Sequence, residues 1–420
     1  MFSYLCPPSW VSSLELLRQR SLNSIDPFVC VVKGSKNTGK STYTRSLYNT
    51  LKKSHRKVAY LECDIGQSEF MPSGSVSLNV LNEYLLGPPS THPRIPVRAH
   101  FLGHASPVSD PDSYVRAIED LISYYYQCVA HQNHQTDDYI PIPLVINTQG
   151  WIRGLGAEMM ESILDIIGKD KCTLIELSNM SNYTSNDNND DSNFDNVDNE
   201  NEDDITNYIT DKSSIKIDSI ANSENPMLVK YTPTDYRNLM MTTYLHAHLN
   251  YSSTVIWDFS RPLCSIPPLR VNYENDIKYV GIFDGEDVTY DNTLVVMNGS
   301  IVALNVDDDT ENDKRLVRND ENVINFQKQS TFGLGIVRSV DIPNQQLHIL
   351  TPLSINCCKL TNVLVKGKLD LPVQACIDWT VHHADIEWSN VPYLSVDDVV
   401  GEGGQKRKIR RTIQRKPAQQ

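Results

Sequence analysis

The 420 residues carry 52 acids against 38 bases, a formal net charge of −14, and 40% are hydrophobic. That hydrophobic share excludes a wholly disordered chain, and the length predicts two to three domains. Net acidity taken whole disfavours a nucleic-acid partner, because a polyanion prefers a basic surface.

No apolar run approaches the ~20 residues that span a bilayer. Met1 to Trp10 has no basic stretch leading into an apolar one, so no secretory signal is expected. Nine scattered cysteines without a CxxC pair predict a reducing compartment and free thiols.

In chain order, the first clear element is the apolar run Phe28 to Val32, which reads as a buried strand. Gly34-Ser35-Lys36-Asn37-Thr38-Gly39-Lys40-Ser41 follows it and fits GxxxxGK[ST] without a mismatch. A helix pattern comes next, Lys40 to Lys53. Strand, glycine loop and helix together cradle a polyphosphate: backbone N–H groups turn inward and the helix presents its positive end. Lys40 is expected at the β- and γ-phosphates and Ser41 on Mg²⁺. The chain lacks a guanine-reading NKxD, which lowers a GTPase reading.

Val58 to Leu61 reads as a second strand, running into Glu62-Cys63-Asp64-Ile65-Gly66-Gln67. Strand alternation predicts Glu62 and Asp64 on one side, at the sheet edge where ligands bind. Two roles stand for such a carboxylate: holding magnesium through water, or taking the proton of an attacking hydroxyl. For Glu62 a solvated strand end stands beside these, and an AAA-type acidic pair is a third possibility.

Further along, Tyr114 to Tyr126 reads as helix, Leu144 to Ile146 as strand, Gly156 to Gly168 as helix and Cys172 to Leu177 as strand. Alternation of this kind predicts an α/β fold with a parallel sheet and helices on both faces. Residues 179–211 hold ten acids and no base between Asp187 and Asp211, and are expected to be a disordered insertion. Beyond it, Tyr236 to Leu249 reads as helix and Thr254 to Phe259 as the last strand of the sheet. From 266 to 400 short β runs predict a smaller β-rich domain: 279–283, 293–306, 335–340 and 347–350. Residues 307–322 read as a charged linker. The end, 401–420, is a tail with seven bases and no acid between Lys406 and Lys416, an interaction arm or nuclear-import signal. Domain bounds are thus 1–178, 179–211, 212–265, 266–400 and 401–420.

Several segments resemble eukaryotic RNA polynucleotide 5′-hydroxyl kinases, in the fungal branch that processes pre-ribosomal RNA. Glu62-x-Asp64-x-Gly66-Gln67 resembles DxDxGQ, and Gly34 to Thr42 resembles GxKNxGKST. Ser106-Pro107 with Asp110-Pro111-Asp112-x-Tyr114 resembles SP…DPxxY. Asn147 to Trp151 resembles an NTxGW clasp, Phe332 to Arg338 with Leu350 to Leu353 the C-terminal domain, and Arg410 to Lys416 the basic end. The resemblance implies a P-loop NTPase sheet followed by the β-rich domain, with ATP and Mg²⁺ as cofactors. It implies transfer of the ATP γ-phosphate to an RNA 5′-OH end in ribosome biogenesis.

By that resemblance Gly34, Ser35, Lys36, Asn37, Thr38, Gly39, Lys40, Ser41 and Thr42 bind ATP. Ser41, Glu62 and Asp64 hold the metal, and Asp64 activates the hydroxyl. Gln67, Thr148, Gly150 and Trp151 hold the acceptor end. Trp151 reads either as a stacking plane for a terminal base, worth about 1–3 kcal/mol, or as a core ring. Arg237 stands for a lid arginine, or is an ordinary surface residue. Met241 takes the place of a second lid arginine, and Glu62 replaces the first Asp of the motif. The resemblance also implies a β-rich domain ahead of the kinase; with the P-loop starting at Gly34, that domain is expected either to be missing or to belong to an upstream stretch. A HEPN-type endoribonuclease of the spacer pathway is the implied partner, docked through 405–420, with location in the nucleus and nucleolus. The alternatives are a catalytically weak P-loop ATP-binding subunit of an RNA-processing complex and a kinase of a small metabolite.

Overall fold

A computed structural model describes residues 7–132, 140–178, 214–219, 231–251, 255–283, 292–307 and 329–376, with two short paired segments at 394–395 and 405–406. The expectations for 179–211, 308–322 and 407–420 lie outside these residues.

The first half is a seven-stranded sheet in the order β4-β3-β2-β5-β1-β6-β7. Its strands are β1 (Val29–Gly34), β2 (Val58–Glu62), β3 (Ser75–Leu81), β4 (Arg98–Phe101), β5 (Leu144–Asn147), β6 (Cys172–Ser178) and β7 (Ser214–Asp218). The five strands β2, β5, β1, β6 and β7 run parallel, as the alternation predicts. The other two depart from it: β3 pairs antiparallel with β2, and β4 with β3. Ser75, Ser77 and Asn79 on β3 are buried polar residues, so β3 has no apolar run to announce it.

Period-two alternation sends the two faces of each central strand into separate cores. One face, with Cys30, Val32, Tyr60 and Val145, packs against α1 (Pro8–Asn23) and α2 (Lys40–Lys52) through Trp10, Leu17, Tyr43, Leu47 and Leu51. The opposite face, with Val29, Val31, Leu61 and Ile146, packs against α3 (Pro111–Tyr124) and α4 (Leu155–Ile167). Asp110 caps α3 by accepting the Ser113 N–H, and Pro111 occupies its first turn, which fixes where the helix starts. A π-helical turn, Tyr125–Val129, ends it.

The second half is a six-stranded sheet in the order β10-β14-β13-β12-β15-β11. It comprises β10 (Leu269–Asn272), β11 (Tyr279–Ile282), β12 (Ile301–Asp307), β13 (Gln329–Asp341), β14 (Gln346–Leu350) and β15 (Val363–Lys366). Its pairings are antiparallel except β11 with β15, which is parallel. The run expected at 293–306 divides into a short helix, Thr293–Met297, and β12, with a turn at Gly299 (φ 67°) between them.

Thr254 to Phe259 is corrected. Among its described residues only Ile256–Trp257 (β9) pairs, antiparallel with Ala247–His248 (β8), and neither strand joins the large sheet. Ile256 and Phe259 are exposed, so this apolar run is not core; the outermost parallel strand is instead β7, whose alternating Ser-Ile-Lys-Ile-Asp buries Ile217.

The two sheets meet where β4 lies beside β13: the Phe101 N–H donates to Thr331 Oγ1 at 3.1 Å. The helix α5 (Pro233–Leu245) starts with a capping box, in which Thr232 Oγ1 accepts the Asp235 N–H and the Asp235 carboxylate accepts the Thr232 N–H. Its C-terminal half belongs to the second core. There the Tyr244 hydroxyl accepts the Leu334 N–H at 2.7 Å, and Met241 and Leu245 are buried.

Candidate active site

The order β2-β5-β1 brings three strand ends together. In register, Val32 of β1 and Glu62 of β2 both lie opposite Asn147, the last residue of β5. The phosphate loop leaves β1, the acidic turn leaves β2 and the clasp leaves β5, so residues over 100 positions apart share one rim.

At Gly34 the loop turns where no side chain fits, since a Cβ would lie 2.8 Å from the Leu177 carbonyl oxygen and 2.9 Å from Thr38 Oγ1. Thr38 Oγ1 donates to the Ser35 carbonyl at 2.9 Å, and Lys40 Nζ donates to the same oxygen at 2.8 Å. No side chain caps the N-terminus of α2, so its first-turn N–H groups are left for an anion. Lys40 is buried, and desolvation lowers its pKa to about 8, with the Asp64 charge pulling it partly back. A desolvated cation at an uncapped helix start fits a polyphosphate.

β2 ends at Glu62, so strand alternation does not extend to Asp64, and the two carboxylates part. Asp64 is half-exposed in a turn, where its Oδ1 accepts the Gly66 N–H at 2.9 Å and the Gln67 N–H at 3.0 Å. Glu62 is fully buried, not a solvated strand end. Its Oε1 accepts the Asp64 N–H at 2.8 Å and its Oε2 the Glu69 N–H at 3.2 Å. Asn147 Nδ2 donates to both oxygens, at 2.9 and 3.1 Å. Burial pushes the Glu62 carboxyl well up, the Asp64 charge adds to this, and the hydrogen bonds oppose it. With both oxygens held by protein donors, Glu62 is placed to shape the acidic turn rather than to face a ligand.

The clasp divides similarly. Thr148 is buried and its hydroxyl donates to the Val32 carbonyl at 2.7 Å, which ties β5 to β1 and leaves the hydroxyl unavailable to an acceptor. Gly150 presses on the phosphate loop: a Cβ there would sit 2.9 Å from Lys36 Cα and 3.0 Å from both Lys36 N and Lys40 Nζ. Trp151 is half-buried, packed against the core and against Gly156 in the first turn of α4, so both readings of its ring have a share. Gln67 is exposed.

Arg237 is not brought to this rim by any described contact; its guanidinium donates to Thr234 Oγ1 at 2.9 Å within α5. Asn147 is the residue that the sequence reading placed in the clasp motif without a role of its own. Its signal is a polar residue ending an otherwise apolar strand.

The residues 34–247 match the family described as mRNA cleavage and polyadenylation factor CLP1 P-loop, about half of the chain. The chain belongs to the CLP1 P-loop family. Residues 264–372 match a second description, NOL9-like, C-terminal domain, which falls on the β-rich sheet.

Relatives of this CLP1 P-loop chain include the polynucleotide 5′-hydroxyl-kinase GRC3 of Cryptococcus neoformans, 32% identical over 99% of this chain and 60% of the relative. The grc3 of Schizosaccharomyces pombe is 29% identical over 98% and 58%. NOL9 of Arabidopsis thaliana, named as the same kinase, is 27% identical over 93% and 96%. The chain thus spans about 60% of the length of the fungal relatives it matches. Among solved structures, Clp1p in its complex with Pcf11p superposes with a TM-score of 0.56 at 14% identity, over 86% of this chain and 78% of that one, a likeness of fold.

As in other P-loop sites, magnesium calls for hard oxygen donors. The half-buried Ser41 hydroxyl and the Asp64 carboxylate supply them, and the residues present fit the ion.

The Lys40 shift carries a pH prediction for this P-loop. Bound phosphates favour charged Lys40, so its pKa rises on binding. Nucleotide affinity should be full below about pH 8 and decline above it, with protons taken up on binding in that upper range. Calorimetry of ADP binding in buffers of different ionisation enthalpy checks this; no proton uptake at pH 8.5–9.5 would contradict it.

Proposed function

We propose that the chain is an ATP-dependent polynucleotide 5′-hydroxyl kinase that transfers the γ-phosphoryl group of ATP to the 5′-OH of an RNA end. The observation that carries this reading is the placing of Asp64, half-exposed and close enough to Lys40 for its charge to act there. A proton acceptor beside a phosphate-binding lysine is what transfer to a hydroxyl requires.

Residues Gly34 to Thr42 hold the ATP phosphates. The 5′-oxygen attacks the γ-phosphorus, the bond to the β,γ-bridging oxygen breaks, and ADP departs. Asp64 takes the hydroxyl proton. Lys40 and the first-turn N–H groups of α2 stabilise charge gathering on the transferring group. Magnesium, when held by Ser41 and Asp64, neutralises part of that charge. Gln67, exposed beside Asp64, and the half-buried Trp151 hold the acceptor.

The names of the GRC3 and NOL9 relatives support the kinase reading. The seven bases between Lys406 and Lys416 support a docking arm for a HEPN-type endoribonuclease whose cleavage leaves a 5′-OH, and a place in the nucleus and nucleolus in pre-rRNA spacer processing. An acidic body with one basic arm makes RNA binding weak and dependent on that partner.

Met241 favours a second reading, a catalytically weak ATP-binding subunit, because the turn that would present a second lid arginine is instead committed to the second core. Competition between a 5′-OH oligoribonucleotide and free nucleosides, with and without the nuclease, tests the proposal. Selective labelling of the oligoribonucleotide is expected. Preferred labelling of nucleosides would select a metabolite kinase, and absence of turnover in both conditions the weak subunit.

A further inference from the structure

Asn147 is fully buried at the junction of the three strand ends, where a side chain normally packs against apolar neighbours. Its amide instead makes polar contacts to three residues on two elements, β2 and α2. Nδ2 donates to both Glu62 oxygens on β2 and lies 3.5 Å from Ser41 Oγ at the start of α2. Oδ1 lies 3.4 Å from Thr44 Oγ1, one turn further along α2, a hydroxyl that donates to the Lys40 carbonyl at 2.9 Å. The amide faces the Glu62 oxygens with its nitrogen and turns its oxygen to Thr44.

Glu62 in turn holds the backbone of Asp64 and Glu69. One amide therefore connects the Ser41 hydroxyl to the turn that carries Asp64, the two oxygen donors the P-loop reading assigns to magnesium. Glu62 does not reach Ser41 by any described hydrogen bond; Asn147 stands between them.

We infer that Asn147 is a positioning residue that sets Ser41 and Asp64 relative to each other and so tunes magnesium binding with the nucleotide, while Glu62 acts as its buried counterpart. The inference rests on the nucleotide-binding reading of the P-loop, but not on the acceptor or on transfer. Partners that orient metal ligands from behind typically change metal affinity about 10–100-fold when removed. The phosphate cradle itself, Gly34 to Lys40 with the α2 N-terminus, does not pass through Asn147.

The test is equilibrium binding of ADP across a magnesium titration, in the full chain, for the wild type, Asn147→Ala and Asn147→Ser. The serine variant keeps a hydrogen-bonding group in the buried site but is too short to span Glu62 and Ser41, so it serves if alanine at this position does not fold. The expected result is ADP affinity without magnesium within about twofold of wild type, and a magnesium midpoint raised about tenfold or more. A magnesium midpoint within twofold of wild type in a folded variant overturns the inference. So does an equal loss of ADP affinity with and without magnesium, which would mark Asn147 as a general support of the fold. If the wild type itself does not bind ADP, it is the P-loop reading that falls, a result distinguishable from either.

Discussion

Lys40→Ala is expected to abolish γ-phosphoryl transfer to a 5′-OH oligoribonucleotide. Lys40 is the buried cation of the loop, and its ammonium faces a loop carbonyl and the Asp64 charge with little water to replace it. Removing one preorganised donor at a transition-state charge costs about 10²–10³ in rate, and loss of the phosphate contact adds to this. Asp64→Asn should be as inactive in transfer but for another reason: the amide keeps the turn bonds to Gly66 and Gln67 and cannot accept the hydroxyl proton. The two variants therefore separate in nucleotide binding. Without magnesium, Lys40→Ala should lose ADP affinity and Asp64→Asn should retain it. Filter assays of labelled RNA and ADP titrations read the two effects; normal labelling by either variant would remove its assigned role.

Gly150→Ala is the second large effect. Its added carbon would fall within 3.0 Å of the Lys36 backbone and of Lys40 Nζ. Two of the three close atoms are backbone, so the phosphate loop must move. Overpacking of this kind costs about 1–3 kcal/mol, roughly one to two decades in nucleotide affinity when the strain is relieved by displacing the loop. ADP titration should show that loss with a folding midpoint near wild type, because the contact lies at the rim of the sheet. Unchanged ADP affinity would mean that the clasp and the loop do not bear on each other.

The phosphate loop was legible because its chemistry is local: eight consecutive residues between an apolar strand and a helix. The parallel core was legible for a similar reason, since Val29 to Val32 and Val58 to Leu61 are short apolar runs bounded by loops. What escaped has physical causes. β3 is buried on both faces and interleaves Ser75, Ser77 and Asn79 with Val76 and Leu78, so no apolar run marks it, and β7 is an alternating outer strand with one buried isoleucine.

Within the site, Asn147 and Gly150 gain their roles from the order β2-β5-β1, which places residue 147 against 32 and 62 and residue 150 against 36 and 40. Nothing local in the chain specifies that order. The resemblance assigns Thr148 to the acceptor end, but its hydroxyl bonds the neighbouring strand instead. Met241 departs from the lid pattern because its turn of α5 packs into the second core rather than toward the rim.

Transfer from γ-labelled ATP to matched oligoribonucleotides ending in a 5′-OH or a 5′-phosphate decides whether the chain is a 5′-hydroxyl kinase. The proposed kinase labels the 5′-OH oligoribonucleotide alone, and the label is lost in Asp64→Asn. Equal labelling of the 5′-phosphate oligoribonucleotide, or label that persists in Asp64→Asn, would contradict it.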